Sequence, residues 1–92
     1  MRRVHLVVSG RVQGVYYRQS SKELADGLGL AGWVRNRQNG TVEAVVEGDP
    51  GAVAQFIEWC HEGPPHARVD SVDSTDGDPV ELAGGFTVRP TV

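Results

Sequence analysis

Arg3-Val4-His5-Leu6-Val7-Val8-Ser9 runs directly into Gly10-Arg11-Val12-Gln13-Gly14-Val15-Tyr16-Tyr17-Arg18, and this junction decides the architecture. The first seven residues alternate. Val4, Leu6 and Val8 share one face, the period of a half-buried strand, and His5 falls on the other. Two glycines punctuate the loop that follows. From about Tyr17 the period lengthens: Leu24, Ala25 and Leu28 recur at helical spacing, with Ser21 one turn earlier. Gly27 and Gly29 mark the end of that helix.

Working outward, a second strand is expected over about Gly32–Arg37. It leads to Asn39-Gly40, the strongest short-range hairpin signal. The return strand is Thr41–Glu47, with Val42, Ala44 and Val46 alternating with Glu43, Val45 and Glu47. Asp49-Pro50 combines an N-cap acceptor with proline at the first helical position. Val53, Phe56, Ile57 and Cys60 then form one apolar stripe, and Gly63-Pro64-Pro65 ends the helix. A fourth strand covers about Arg68–Ser74, Asp76-Gly77-Asp78-Pro79 reads as a turn, and a short last strand, Phe86–Arg89, stops at Pro90. The order is β-α-β-β-α-β plus a short C-terminal strand. Two helices with single apolar stripes need one sheet face between them, and right-handed crossovers put both on that face. The expected fold is an α+β, ferredoxin-like two-layer sandwich. Its sheet is mixed and mainly antiparallel, with the second face partly open.

The 92 residues make one domain, 1–92, large enough for a small core without metal or disulfide staples. Apolar residues are 39% and charged residues 23%, a globular balance. A single cysteine, Cys60, excludes an internal disulfide and a cysteine-rich zinc site. No segment has the length of a membrane span or the pattern of a signal peptide, so a cytoplasmic setting is expected. The net charge is −3, unevenly spread: residues 1–42 carry seven basic and two acidic groups, residues 43–92 two and ten. A globally acidic chain is a poor nonspecific nucleic-acid binder, but its basic half has room for a local anion site.

The loop after the first strand is where that site would form. A glycine-containing turn that feeds a helix N-terminus presents backbone N–H groups backed by the positive end of the helix dipole. Arg18 stands at that end, where a cation disfavours the helix by a few tenths of a kcal/mol, a tolerable cost if it serves an anion. The loop is not a nucleotide-binding P-loop, because Val15-Tyr16 follow Gly14 where Lys and Ser or Thr are needed. On these residues alone it is either an anion site or an ordinary βα turn.

Gly10-Arg-Val-Gln-Gly-Val-Tyr-Tyr-Arg18 resembles the acylphosphatase signature. Gly32-Trp-Val-Arg-Asn36-Arg-Gln-Asn-Gly40-Thr-Val-Glu43 is similar to that family's second motif, and Gly63-Pro64-Pro65 with Ala67-Arg-Val-Asp70 matches its usual spacing. The likeness runs from about Val4 to Val88. It implies metal-free, cofactor-free hydrolysis of acyl phosphates to a carboxylate and inorganic phosphate, the latter also an inhibitor. It further implies a phosphate cradle of backbone N–H groups from Arg11, Val12, Gln13, Gly14, Val15 and Tyr16. Arg18 would be the catalytic arginine, and Asn36 would position the attacking water. The family's sheet order is 4-1-3-2 with an extra edge strand, and its small domain is a monomer. Two departures stand out: Asn39 replaces a commoner Asp, and Pro90-Thr91-Val92 stand where the family often has an aromatic, which leaves the tail without an expected role near the site.

The remaining candidates read as structural. Cys60 is expected in the core, and His5 on the open sheet face. His61 and His66 flank a helix end, and three scattered histidines give no metal-ligand spacing. Trp33, Tyr16 and Tyr17 are expected to pack, and the acidic residues beyond position 69 to be exposed. An RNA-binding module would need aromatics on its central strands, and Thr41–Glu47 has none. The remaining alternative is a noncatalytic anion- or ligand-binding domain on the same scaffold, which needs Arg18 and the loop but not Asn36.

Overall fold

A computed structural model describes all 92 residues. In chain order the elements are β1 (Arg2–Arg11), α1 (Tyr17–Leu28), β2 (Ala31–Asn36), β3 (Val42–Gly48), α2 (Pro50–Cys60), β4 (Arg68–Gly77) and β5 (Phe86–Val88). They form one sheet in the order β4-β1-β3-β2-β5. The β1–β3, β1–β4 and β2–β3 pairs are antiparallel, and β5 joins β2 in parallel at the edge. This is the ferredoxin-like α+β sandwich expected, with the implied strand order.

The helices bury one face. Val4, Leu6 and Val8 of β1, Val34 of β2, and Val42, Ala44 and Val46 of β3 meet Tyr17 and Ala25 of α1 and Val53, Phe56 and Cys60 of α2. Phe56 stacks obliquely on Phe86 and Trp59, with ring centroids 5.8 and 6.3 Å away. The Tyr17 hydroxyl, raised in pKa by burial, donates to the Cys60 carbonyl at 2.8 Å and joins the two helices. Cys60 lies in the core as expected, where burial pushes its thiol up to about 12. Local signals end the helices: Asp49 accepts from Ala52 N–H at 3.2 Å to start α2. Gly29, left-handed at φ 69°, closes α1 as its own N–H and that of Leu30 donate to Asp26 and Ala25 carbonyls.

One expectation needs correction: β4 continues through Asp76 to Gly77, where a turn was expected to begin. Strand β1 starts early enough to pair Val4 with Asp76 and Arg3 with Gly77, and Arg2 grips Asp76 with two hydrogen bonds of 2.9 and 3.1 Å. Strand β5 correspondingly stops at Val88, although Arg89 N–H still reaches the Val34 carbonyl. The face away from the helices is partly open, as expected: it is open over β4 and closed over β3, whose Glu43, Val45 and Glu47 are all buried. Trp33 lies under the guanidinium groups of Arg35 and Arg89, 4.6 and 4.7 Å from its ring. Arg35 Nε and His5 Nε2 each lie 2.7 Å from the Glu43 carboxylate. Burial pushes the Glu43 carboxyl up, but these two partners outweigh it and hold the group below the ordinary range. His5 is on this face, as its strand period requires.

Glu47 closes the other end. Its carboxylate accepts from Val80, Glu81 and Leu82 N–H at 2.6, 3.0 and 2.7 Å, strapping the β4–β5 connection across β3. The Leu82 hydrogen bond lowers the Glu47 pKa most; burial opposes it, and Glu81, Val80 and the Arg3 charge add to the lowering. A depressed folded pKa adds stability above the unfolded carboxylate value of about 4.3 and loses it as pH falls through the folded value. Glu47→Gln is therefore expected to lower Tm at pH 7. In thermal melts, the gap to the unsubstituted protein should narrow on acidification toward pH 3. A gap independent of pH would mean that the carboxylate charge does not hold the strap.

Candidate active site

The site begins where β1 bends. Its pairing with β4 shifts register between Ser9 and Gly10. Gly10 has φ +124°, and a Cβ there would sit 2.2 Å from the Arg68 carbonyl oxygen. Only glycine permits this approach. Arg11 closes β1 opposite Arg68, so the loop proper starts at Val12. Val12 and Val15 are buried and anchor the loop's underside in the core.

The upper side carries the backbone polar groups. Gly14 and Tyr16 are both left-handed, at φ 73° and 70°, with Val15 between them. Alternating hands turn successive N–H groups to one side, the geometry of an anion nest. The N–H groups from Val12 to Gln19 find no acceptor in the chain, and the first to find one is Ser20, which donates to the Tyr16 carbonyl. Helix α1 has no side-chain cap and no acidic residue in its first turn. Its positive dipole end is uncompensated, in contrast to the capped start of α2.

Arg18 lies in that first turn, half-buried, with no ion pair or side-chain hydrogen bond to the protein. Asn36 ends β2 opposite Val42 and is 9% exposed. Its Oδ1 is buried and has no hydrogen-bond partner, a state that carries a free-energy cost unless something outside the chain uses it. Arg18 and Asn36 line one depression of about 460 Å³, together with Val12, Gly14, Tyr16, Tyr17, Gln19 and Val88. The fold thus brings both predicted side chains to the uncapped loop.

Two contributions were not foreseen. The Gln13 side chain donates through Nε2 to the carbonyls of Arg37 and Thr41 at 2.7 and 2.9 Å. It ties the loop to the β2–β3 hairpin just beyond Asn36, so cradle and amide hold a fixed separation. The hairpin turn is itself set by Asn39 Oδ1, which accepts from the Thr41 N–H and hydroxyl. The tail also reaches the site: Val92 N–H donates to the Asn36 carbonyl at 3.2 Å, and Val92 accepts from Gln38 N–H at 2.7 Å. Among the aromatics, Tyr17 and Trp33 pack as expected. Tyr16 does not; it is 67% exposed at the rim of the depression. Its backbone forms the loop's second left-handed turn, which swings the ring away from the core. His61 and His66 are exposed.

Uncapped amides, an unpaired arginine and a buried amide acceptor converge in a loop matching the first motif and a strand end matching the second. The family model described as Acylphosphatase matches residues 4–88. The chain belongs to the acylphosphatase family. It is 54% identical over 88 residues to an acylphosphatase of Rubrobacter xylanophilus, covering 96% of this chain and 80% of that protein. The crystal structure of an acylphosphatase from Bacillus subtilis superposes with a TM-score of 0.92 at 36% identity, covering 97% and 99% of the two chains. An acylphosphatase from Coxiella burnetii gives 0.89 at 41% identity, with 96% and 92% covered.

Within this acylphosphatase scaffold Gln13 has a testable positioning role. Gln13→Ala removes both hydrogen bonds to the hairpin. It is expected to lower kcat/KM on a small acyl phosphate by about tenfold and to weaken inhibition by inorganic phosphate, since reacting groups lose their fixed geometry. Steady-state kinetics with a thermal melt check this: a lower Tm with unchanged kinetics would make Gln13 a purely structural tie.

Proposed function

We propose that the protein hydrolyses acyl phosphates, with the Arg11–Tyr16 amides and Arg18 holding the phosphoryl group and Asn36 positioning water. The observation that carries this reading is the joint lining of one depression by an unpaired guanidinium and a buried, unpartnered amide oxygen. The substrate is already activated, because its leaving group is a weakly basic carboxylate that needs no protonation. What remains is positioning and neutralisation of charge on the phosphoryl oxygens. The guanidinium fork suits two phosphoryl oxygens at once, and the nest amides suit the third.

Asn36 has no useful basicity, so it acts by hydrogen bonding: its Oδ1 accepts from the water and its amide N–H₂ donates toward phosphoryl oxygen. Water oxygen bonds to phosphorus as the P–O bond to the acyl group breaks. The water's proton passes to a phosphoryl oxygen of the substrate. The products are the carboxylate and dihydrogen phosphate. Neither metal nor cofactor is needed, because the amides and Arg18 supply the positive charge. The reading extends to a monomer of one domain acting in the cytoplasm on small molecules, without nucleic acid. No helix is long and apolar enough to cross a membrane. A noncatalytic anion-binding domain would have no use for a buried, unpartnered Asn36 oxygen, which favours the enzyme.

Benzoyl phosphate is expected to turn over without added metal and after exhaustive chelation, and a phosphate monoester to react far more slowly. Arg18→Ala should weaken phosphate inhibition and nearly abolish turnover with the fold intact, and Arg18→Lys should rescue poorly. Asn36→Ala should keep phosphate inhibition while lowering kcat by orders of magnitude, roughly 2–4 kcal/mol of lost transition-state stabilisation. Asn36→Asp should also fail, since its carboxylate repels the phosphate dianion. Unchanged kcat in Asn36→Ala would remove Asn36 from the mechanism.

A further inference from the structure

The backbone that carries Arg18 is fixed from both sides by buried hydroxyl groups. Tyr17, the residue before it, donates its hydroxyl at 2.8 Å to the carbonyl of Cys60, the last residue of α2. A carbonyl at that position has no amide of its own helix to meet. The Tyr17 ring lies 5.1 Å from that of Trp59. It also closes on Gly63, left-handed at φ +71°, where a Cβ would sit 2.9 Å from the ring edge. Ser21, one turn beyond Arg18, is fully buried, and its Oγ donates to the Arg18 carbonyl at 2.7 Å.

Neither hydroxyl is needed to fill space. Phe would occupy the Tyr17 position, and Ala, a better helix former, the Ser21 position. Buried hydroxyls are unfavourable unless bonded, and a serine bonded back to its own helix bends it slightly. Two such departures bracket one residue, Arg18, which is where local rules give way to function. Tyr17, Ser21 and Ala25 are also the buried stripe of α1. They set how the helix is turned about its axis, and so the direction in which Arg18 enters the depression. The start of α1 has no side-chain cap. A cap would fix this turn by occupying amides that an anion needs. Fixing it through a carbonyl and a phenol leaves those amides free.

We propose that Tyr17 and Ser21 are positioning residues that aim Arg18 at the phosphoryl group. The Tyr17 hydroxyl holds the first turn of α1 to the end of α2, and the Ser21 hydroxyl holds the Arg18 peptide within that turn. Neither hydroxyl moves a proton in the reaction. The inference rests on the reading above, in which Arg18 holds the phosphoryl group.

Tyr17→Phe and Ser21→Ala each delete one hydroxyl and keep the core filled. Dissociation constants for inorganic phosphate, from amide ¹H–¹⁵N titrations well below each variant's Tm, read the effect without requiring turnover. Each variant is expected to bind phosphate about fivefold more weakly than the unsubstituted protein. Double-mutant cycles with Arg18→Lys locate the cause. A flexible ammonium is a point charge with no fork to aim, so in the Arg18→Lys background each deletion should change the constant by less than about twofold. A lower Tm with unchanged phosphate affinity would make the hydroxyls purely structural and overturn the proposal. A fivefold loss that persists in the Arg18→Lys background would also overturn it, because the effect would not pass through Arg18. Equal phosphate binding by Arg18→Lys and the unsubstituted protein would instead remove Arg18 from the anion site, and the reading beneath the proposal would fall with it.

Discussion

The close approach of β1 to β4 at Gly10 is the constraint on which the site depends. A single side-chain carbon there would collide with the Arg68 carbonyl oxygen. The register shift at this point releases the chain from the sheet with Val12 and Val15 still directed into the core. Because those two valines are anchored, the intervening backbone polar groups are forced to the other side. The uncapped start of α1, the nest and the placement of Arg18 all follow from that bend.

Unsatisfied polarity is concentrated here; away from the site, Arg3 Nη1 is the one buried polar side-chain atom without a partner. Helix α2 is capped by Asp49, Asn39 satisfies the hairpin turn, and Glu47 satisfies three consecutive amides of the β4–β5 connection. The same chain leaves the Val12–Gln19 amides and the Asn36 Oδ1 without partners in the protein. A buried orphan such as the Asn36 Oδ1 is destabilising unless something outside the chain completes it. Gln13 then keeps the orphaned set rigid by tying the loop to the hairpin that carries Asn36. On the proposed reading, a phosphoryl group bound here would meet donors already in place, and positioning would then replace acid–base chemistry.

The fold was legible in the sequence because strand and helix periods switch cleanly at glycines and prolines. Val4, Leu6 and Val8, the Asn39-Gly40 turn and the Asp49-Pro50 helix start each signal locally what they do. Arg18 was legible locally as a cation at the positive end of a helix fed by a glycine loop, whereas Asn36 was legible only through motif resemblance, since nothing local tells that a strand-end asparagine and that arginine share a depression. The extension of β4 to Gly77 was hidden because Asp76 and Gly77 carry turn propensity, which pairing with β1 and the Arg2 ion pair override. The burial of Glu47 was equally hidden: a glutamate in an alternating strand reads as exposed, and its partners are backbone amides more than thirty positions away. Tyr16 was misread because an aromatic beside a helix start usually packs, whereas a left-handed backbone turns this one outward.

The central claim is that the uncapped loop and helix start, and not some other element, receive the phosphoryl group. A titration of the ¹⁵N-labelled protein with inorganic phosphate, followed by amide ¹H–¹⁵N spectra, tests it most directly. The account predicts saturable downfield shifts of amide protons within Val12–Gln19, with the same residues unresponsive in Arg18→Ala at equal phosphate. Shifts centred on another element, or a response undiminished by the loss of Arg18, would contradict it.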